Sequence, residues 1–191
     1  KKKNKFTNTF IYIGRLIVDK GVNELIEAIK IVKNYDDNIK FIFLGSFDKN
    51  NPKSINKLNF NNFINDYNIT YNKFIENTDL FYQKADAIIL PTFREGTPRV
   101  LLEAMSQGTN VLCSNTIGCK QLISNNYNGI MFLKKNINDI AKKIIEYKNL
   151  PTNKKIELAV NAREFVEKNY NVNILIDVYE KRIGEIINDC N

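Results

Sequence analysis

The sequence predicts an α/β domain in which a parallel, doubly wound sheet is followed by a run of helices. Three observations carry this. Short apolar runs of strand length alternate with stretches whose apolar residues recur at helical spacing. The first two runs each end in glycine, at Gly14 and Gly45, the punctuation of a strand giving way to a turn. After Leu133 the strand-like runs stop, and helical periodicity alone continues to the end.

Taken in order, residues 10–14 read as the first strand. Val22, Leu25, Ile26, Ile29 and Val32 then form one face of a helix over residues 22–33. Residues 41–45 are a second buried strand, and the polar residues 47–54 a loop. Residues 55–67 read as a helix with Leu58, Ile64 and flanking aromatics turned inward. Residues 70–75 form a third, less apolar strand, residues 79–84 a short helix and residues 87–90 the fourth strand. The helix after Pro98 runs to about Gln107, where Gly108 is a stop signal. Residues 110–113 are a fifth strand, a short helix begins over 121–123, and residues 130–133 are the last strand. Residues 137–148, 152–168 and 172–188 are successive helices, with Thr152 a candidate N-cap after Pro151. Strands alternating with helices imply right-handed crossovers and a Rossmann-like sheet. Residues 1–191 read as one such domain with a helical C-terminal extension.

Composition narrows the function. At 43% hydrophobic, the chain can build a packed core, and it contains no apolar run near the ~20 residues that span a bilayer. The basic start, Lys1 to Lys5, leads into a mixed strand rather than the apolar stretch of a signal peptide. Cys113, Cys119 and Cys190 lack metal-ligand spacing and read as free thiols of a cytoplasmic protein. The absence of histidine removes the commonest general base and transition-metal ligand. A net charge of +7 suits an anionic ligand. Lysines spread over helices and interleaved with Asn read as solvated faces, so no nucleic-acid surface is expected. Ile174, Leu175, Val178, Ile183 and Ile186 on the last helix suit either a membrane face or packing, on this core or on another part of the protein; packing is the reading adopted.

Two constellations could carry chemistry. In the first, Gly14 follows a strand and lets the backbone approach a ligand, Arg15 can fork onto phosphate oxygens, and Lys20 adds a charge at the mouth of the helix after Gly21. The plainer alternative is two solvated cations near a turn. The second is the run Glu95, Gly96, Thr97, Pro98, Arg99, Val100, Leu101, Leu102, Glu103. It follows a buried strand, and a helix N-terminus there offers N–H groups to an anion. Pro98 suits the first helical turn. Glu95 lies before the helix and Glu103 more than one turn inside it, so they suit two parts of an elongated ligand rather than one atom. The alternative is a capping carboxylate and a solvated helix charge. The first turn lacks GxGxxG and the second strand ends without an acidic residue, which argues against a nicotinamide oxidoreductase.

Together these residues, with Ala85, Asp86, Pro91, Ala104, Met105 and Gly108 in the same order, resemble the retaining GT-B glycosyltransferases that carry an E-x7-E motif. The resemblance covers nearly the whole chain and matches only the family's C-terminal, donor-binding lobe; the acceptor-binding lobe would precede Lys1. It implies that Arg15 and Lys20 grip the donor diphosphate beside Gly14, that Glu95 lies near the donor sugar, and that Glu103 holds the ribose. It implies that backbone groups from Gly96 to Leu101 meet sugar or phosphate, and that the base sits near Phe74 and Ile75. The expected partners are a nucleoside diphosphate sugar, a UDP-sugar foremost, and a glycan or lipid-linked acceptor held by the other lobe, as in the synthesis of bacterial surface glycans. No metal or other cofactor is expected, because the two cations stand where a metal would act and no Asp-x-Asp motif is present. The expected location is the cytoplasm, with the full-length protein able to sit at the inner face of the membrane. A reading from another class stands beside this one, a non-catalytic Rossmann-type nucleotide- or phosphate-binding module. Asn110 replaces a common proline and Gln121 a common glutamate; the second touches the expected placement of the Gly118 loop.

Overall fold

A computed structural model describes residues 6–48, 50–73 and 77–189. Among them lie six strands: β1 (Thr9–Ile13), β2 (Lys40–Leu44), β3 (Thr70–Asn72), β4 (Ala87–Leu90), β5 (Asn110–Ser114) and β6 (Ile130–Phe132). Eight α-helices accompany them: α1 (Val22–Tyr35), α2 (Lys57–Asp66), α3 (Asp79–Lys84), α4 (Arg99–Ser106), α5 (Ile117–Leu122), α6 (Ile137–Asn149), α7 (Thr152–Asn169) and α8 (Val172–Asp189). All described strand pairs are parallel, in the order β3-β2-β1-β4-β5-β6. The order reverses between β1 and β4, and such a switch point opens a crevice at the strands' carboxyl ends. Among the described residues, no helix is long and apolar enough to cross a membrane.

Alternation along β1 assigns its side chains to two cores. Phe10 and Tyr12 join Leu25 and Ile29 of α1 and Ile140 and Ile144 of α6 on one face. Ile11 joins Leu101 and Met105 of α4, Cys119 of α5 and Ala162 of α7 on the other. Each large apolar side chain fully buried this way contributes about 1.5–3 kcal/mol. Strands covered on both faces need continuous apolar runs, which is why β1, β2, β4 and β5 read so plainly in the sequence.

Several expectations need correction. Of the residues expected inward on α2, Leu58 is 73% exposed, whereas Ile64 and the aromatics Phe60 and Phe63 do turn toward the core. Both rings pack edge-on against Phe43, and Phe60 also meets Phe47 and Tyr71. This aromatic cluster outweighs one leucine and sets the helix phase. The helix begins after Ile55, whose N–H bonds to the Leu16 carbonyl, and Asn56 caps it by accepting from the Asn59 N–H at 3.0 Å. The short helix expected from residue 121 is α5, which begins at Ile117 and has its Lys120 N–H bonded to Thr116 O. Thr152 is the first residue of α7 rather than its cap; Pro151 occupies the cap position and its carbonyl accepts from Lys154 and Lys155. Residues 18–20 form a 3-10 turn that carries no helical periodicity to announce it. Ile174, Ile183 and Ile186 are exposed, so they do not pack on this core; the side chains of Leu175 and Val178 lie outside the described set.

Asn110 earns its place at the amino end of β5. Its side-chain amide donates to the Tyr147 hydroxyl at 2.9 Å and to the Lys155 carbonyl at 3.1 Å, tying β5 to α6 and α7. Asp86 serves the same end of the sheet, accepting from the Thr7 and Thr9 N–H groups at 2.6 and 3.0 Å. It therefore anchors β1 and lies away from the switch point.

Candidate functional site

The carboxyl end of β1 delivers Gly14 and Arg15 to the switch point. The Gly14 N–H bonds to the Leu44 carbonyl at 2.9 Å, so the chain stays in sheet register as it enters the turn. Tyr12 is buried, and its hydroxyl donates to the Arg15 carbonyl at 2.7 Å. Burial first, and the Glu95 charge second, push the Tyr12 phenol above its ordinary range, so it remains a donor and braces the backbone under Arg15. The 3-10 turn then carries Lys20 to Gly21. Gly21 has φ +69°, and a Cβ there would lie 2.0 Å from the Pro91 carbonyl oxygen. Only glycine satisfies both conditions, and its absence of a side chain lets the mouth of α1 close on the end of β4.

Beyond β4, Glu95 meets Lys20. The two form a largely buried ion pair and hydrogen bond across 75 residues of sequence. Arg15 pairs more loosely with Asp48 at 3.5 Å. Behind Glu95, α5 packs so closely that a Cβ on Gly118 would lie 1.7 Å from the Gly96 oxygen. The Gly118 region is thus fixed by backbone contact, whatever side chain stands at position 121.

Ile13, Gly14, Arg15, Lys20, Leu90, Glu95, Thr97, Pro98, Arg99 and Val100 line one cleft of about 340 Å³. Arg99 and Val100 open α4 there, and N–H groups of a first helical turn have no partner within the helix. A second cleft of about 230 Å³ adjoins it, sharing Ile13, Gly14 and Arg15 and adding Leu44, Gly45, Ser46, Lys73 and Thr78. The pair makes an elongated trough with cations at its centre.

The expected site residues divide accordingly. Gly14, Arg15, Lys20, Glu95, Thr97, Pro98, Arg99 and Val100 come together in the first cleft. Gly96 is exposed at its edge. Leu101 is fully buried among core residues, and its N–H is accepted by the Pro98 carbonyl, so it supports the helix and does not line the cleft. Glu103 stands apart on α4, 3.8 Å from Arg99 and accepting from the Tyr82 hydroxyl at 2.7 Å. Phe74 and Ile75 lie outside the described residues. Sequence reasoning missed Tyr82, Ser46, Lys73 and Thr78. Tyr82 stands in an apolar run that reads as core, Ser46 and Thr78 are ordinary polar residues, and Lys73 reads as part of the third strand, whereas β3 ends at Asn72. Cys113 and Cys119 are free and buried. Among the described residues, no group of three His, Cys, Asp or Glu side chains is placed to hold a metal ion.

A 3-2-1-4-5-6 parallel sheet with glycine turns, cations and a helix mouth at its switch point defines a Rossmann-like domain of the kind found in GT-B glycosyltransferases. The chain belongs to the group 1 glycosyl transferases: residues 1–176 match the model of that family. It is 26% identical over 178 residues to the capsular polysaccharide biosynthesis glycosyltransferase CapM of Staphylococcus aureus, covering 93% of this chain and 46% of CapM. It is 30% identical over 180 residues to the N,N'-diacetylbacillosaminyl-diphospho-undecaprenol alpha-1,3-N-acetylgalactosaminyltransferase of Campylobacter jejuni, covering 93% of this chain and 44% of that enzyme. The chain thus spans a little under half the length of these relatives. The crystal structure of Anabaena Alr3699/HepE in complex with UDP and glucose shares the fold, with a TM-score of 0.79 at 17% identity over 93% of this chain and 48% of that one.

Proposed function

We propose that this chain is the donor-binding half of a retaining glycosyltransferase, which moves a sugar from a UDP-sugar to a glycan or lipid-linked acceptor in bacterial surface polysaccharide or glycoconjugate synthesis. The observation that carries the reading is the meeting of Arg15, Lys20 and Glu95 at the mouth of α4 in a single cleft. Support for a UDP donor comes from the UDP complex of HepE, and support for the acceptor class from the names of the Staphylococcus and Campylobacter relatives.

The chemistry follows from the charges. Breaking the bond between sugar and diphosphate develops negative charge on the leaving phosphate. Arg15, Lys20 and the first N–H groups of α4 would neutralise that charge without a metal, and each such preorganised contact is worth about 2.7–4 kcal/mol in the transition state. Glu95 holds Lys20 in place before a donor arrives, while Asp48 lies loosely against Arg15. The diphosphate would displace these carboxylates as partners, freeing Glu95 to face the donor sugar. Glu103, farther along α4, would take the ribose hydroxyls. In this reading the enzyme works on the cytoplasmic side, and any contact of the full-length protein with the membrane's inner face is peripheral.

Calorimetric titration with UDP, GDP and ADP, each with and without a chelator, tests the proposal. The expected result is binding of UDP that is unchanged by the chelator and lost in Glu103→Ala. A folded chain that binds none of the three nucleotides overturns it. Affinity that Glu103→Ala leaves intact favours a bare phosphate-binding module instead.

A further inference from the structure

The geometry points to Tyr82 as a positioning residue that holds the Glu103 carboxylate in place for the ribose of the donor nucleotide, an inference that rests on the donor-site reading above. Tyr82 is 1% exposed, and its hydroxyl donates to Glu103 Oε2 at 2.7 Å. The backbone of Tyr82 is fixed from behind. Its own N–H bonds to the Thr78 carbonyl at 3.1 Å, and the buried Thr109 hydroxyl donates to its carbonyl at 2.8 Å. Burial first, and the bond to Glu103 second, raise the phenol's proton affinity, so toward the carboxylate it acts as a donor.

Glu103 needs such a partner. Its side chain is 42% exposed on a helix surface, where three side-chain torsions would otherwise be free. Its charged neighbour, Arg99, lies 3.8 Å away with a side chain 87% exposed, and an ion pair of that kind is screened and mobile. Tyr82 is the rigid neighbour. A carboxylate has about four acceptor sites, so the bond to Tyr82 leaves Oε1 and part of Oε2 for a vicinal diol. The same short helix also reaches the second cleft. Thr78 lines that cleft beside Lys73 and Ser46, and Tyr82 follows it by four residues. Helix α3, capped by Thr78, therefore links the wall of the second cleft to the carboxylate expected at the ribose.

Titration of the chain and of Tyr82→Phe with UDP, 2′,3′-dideoxy-UDP and pyrophosphate tests the inference. The substitution keeps the ring, and thermal unfolding checks the fold. Loss of one hydrogen bond to a charged group lowers UDP affinity about tenfold. Affinities for the dideoxy nucleotide and for pyrophosphate stay within about twofold, because neither presents the diol. Glu103→Gln gives a similar selective loss, and the double variant loses less than the two single losses combined. Equal weakening of all three ligands in Tyr82→Phe would make the tyrosine structural and overturn the inference, as would no weakening at all. If the unsubstituted chain binds UDP and dideoxy-UDP equally well, the ribose assignment of Glu103 falls. If it binds no nucleotide, the donor-site reading falls first and the inference with it.

Discussion

Lys20 and Glu95 decide most of what the trough can do. Each is largely buried and each is the other's partner, so removing one leaves a charge in a place chosen for a pair. Lys20→Met is expected to lower UDP affinity tenfold or more and to destabilise the fold by about 1–3 kcal/mol, through the uncompensated Glu95 carboxylate. Calorimetry and thermal unfolding of the same variant would measure both. Arg15 differs because its side chain is well exposed and its pairing with Asp48 is loose. Arg15→Lys keeps the charge but loses the planar fork, so it should weaken UDP binding several-fold while leaving the midpoint of unfolding unchanged. These residues were legible in the sequence because they adjoin strand ends, where function collects in such sheets. Tyr82 was not legible. Its contact with Glu103 spans 21 residues and two helices, and nothing in local spacing distinguishes a buried tyrosine with a task from one that only packs.

Among the elements, those buried on both faces were readable and those with one wet face less so. β1, β4 and β5 announce themselves as unbroken apolar runs, whereas α2 is rich in Asn and takes its phase from a ring cluster that forms only in three dimensions. Helix α5 is six residues long, too short for a period to show, and its first residue, Ile117, is exposed. Its importance comes from contact. Gly118→Ala would drive a methyl group into the Gly96 carbonyl, so the loop carrying Glu95 must move, and UDP binding should fall with it. Amide exchange across residues 94–97 would detect the shift, and unaltered exchange with unaltered binding would show that α5, and not this loop, absorbs the methyl group.

The joint between α1 and α6 yields a dependence on pH. Asp36, just past α1, is 3.1 Å from the Lys148 ammonium. The hydrogen bond from Lys148 first, and the Asn38 N–H second, hold its carboxyl below the ordinary aspartate range. A carboxyl lowered by folding adds stability above its unfolded pKa and loses it as pH falls through the folded one. The gap in unfolding midpoint between the natural chain and Asp36→Asn should therefore be constant near neutrality and close below pH 3.8. A gap that persists undiminished at lower pH would mean that the ion pair is not its source.

At the scale of the whole molecule, the described residues form a packed α/β sheet and helices, and the last helix carries an exposed apolar stripe. On α8, Val172, Ile176, Tyr179, Ile183 and Ile186 recur at intervals of four and three residues, and each is exposed by 47–68%. A surface stripe contributes little to the domain that carries it, so Ile183→Ser should change stability by no more than about 0.5 kcal/mol. Relatives such as CapM have more than twice as much chain as the matched region. In the proposed division of labour, that additional chain holds the acceptor. The trough described here gathers cations, helix-mouth N–H groups and the Glu95 carboxylate, all suited to the donor, and orienting a second reactant can supply about 7–11 kcal/mol of barrier reduction. The 191 residues alone should therefore bind UDP and transfer nothing. Incubation with a labelled UDP-sugar and a lipid-linked glycan, beside a binding titration on the same sample, would separate the two properties. Binding without transfer supports the division, whereas robust transfer would place an acceptor site within this chain and require the trough to be reread as a complete active site.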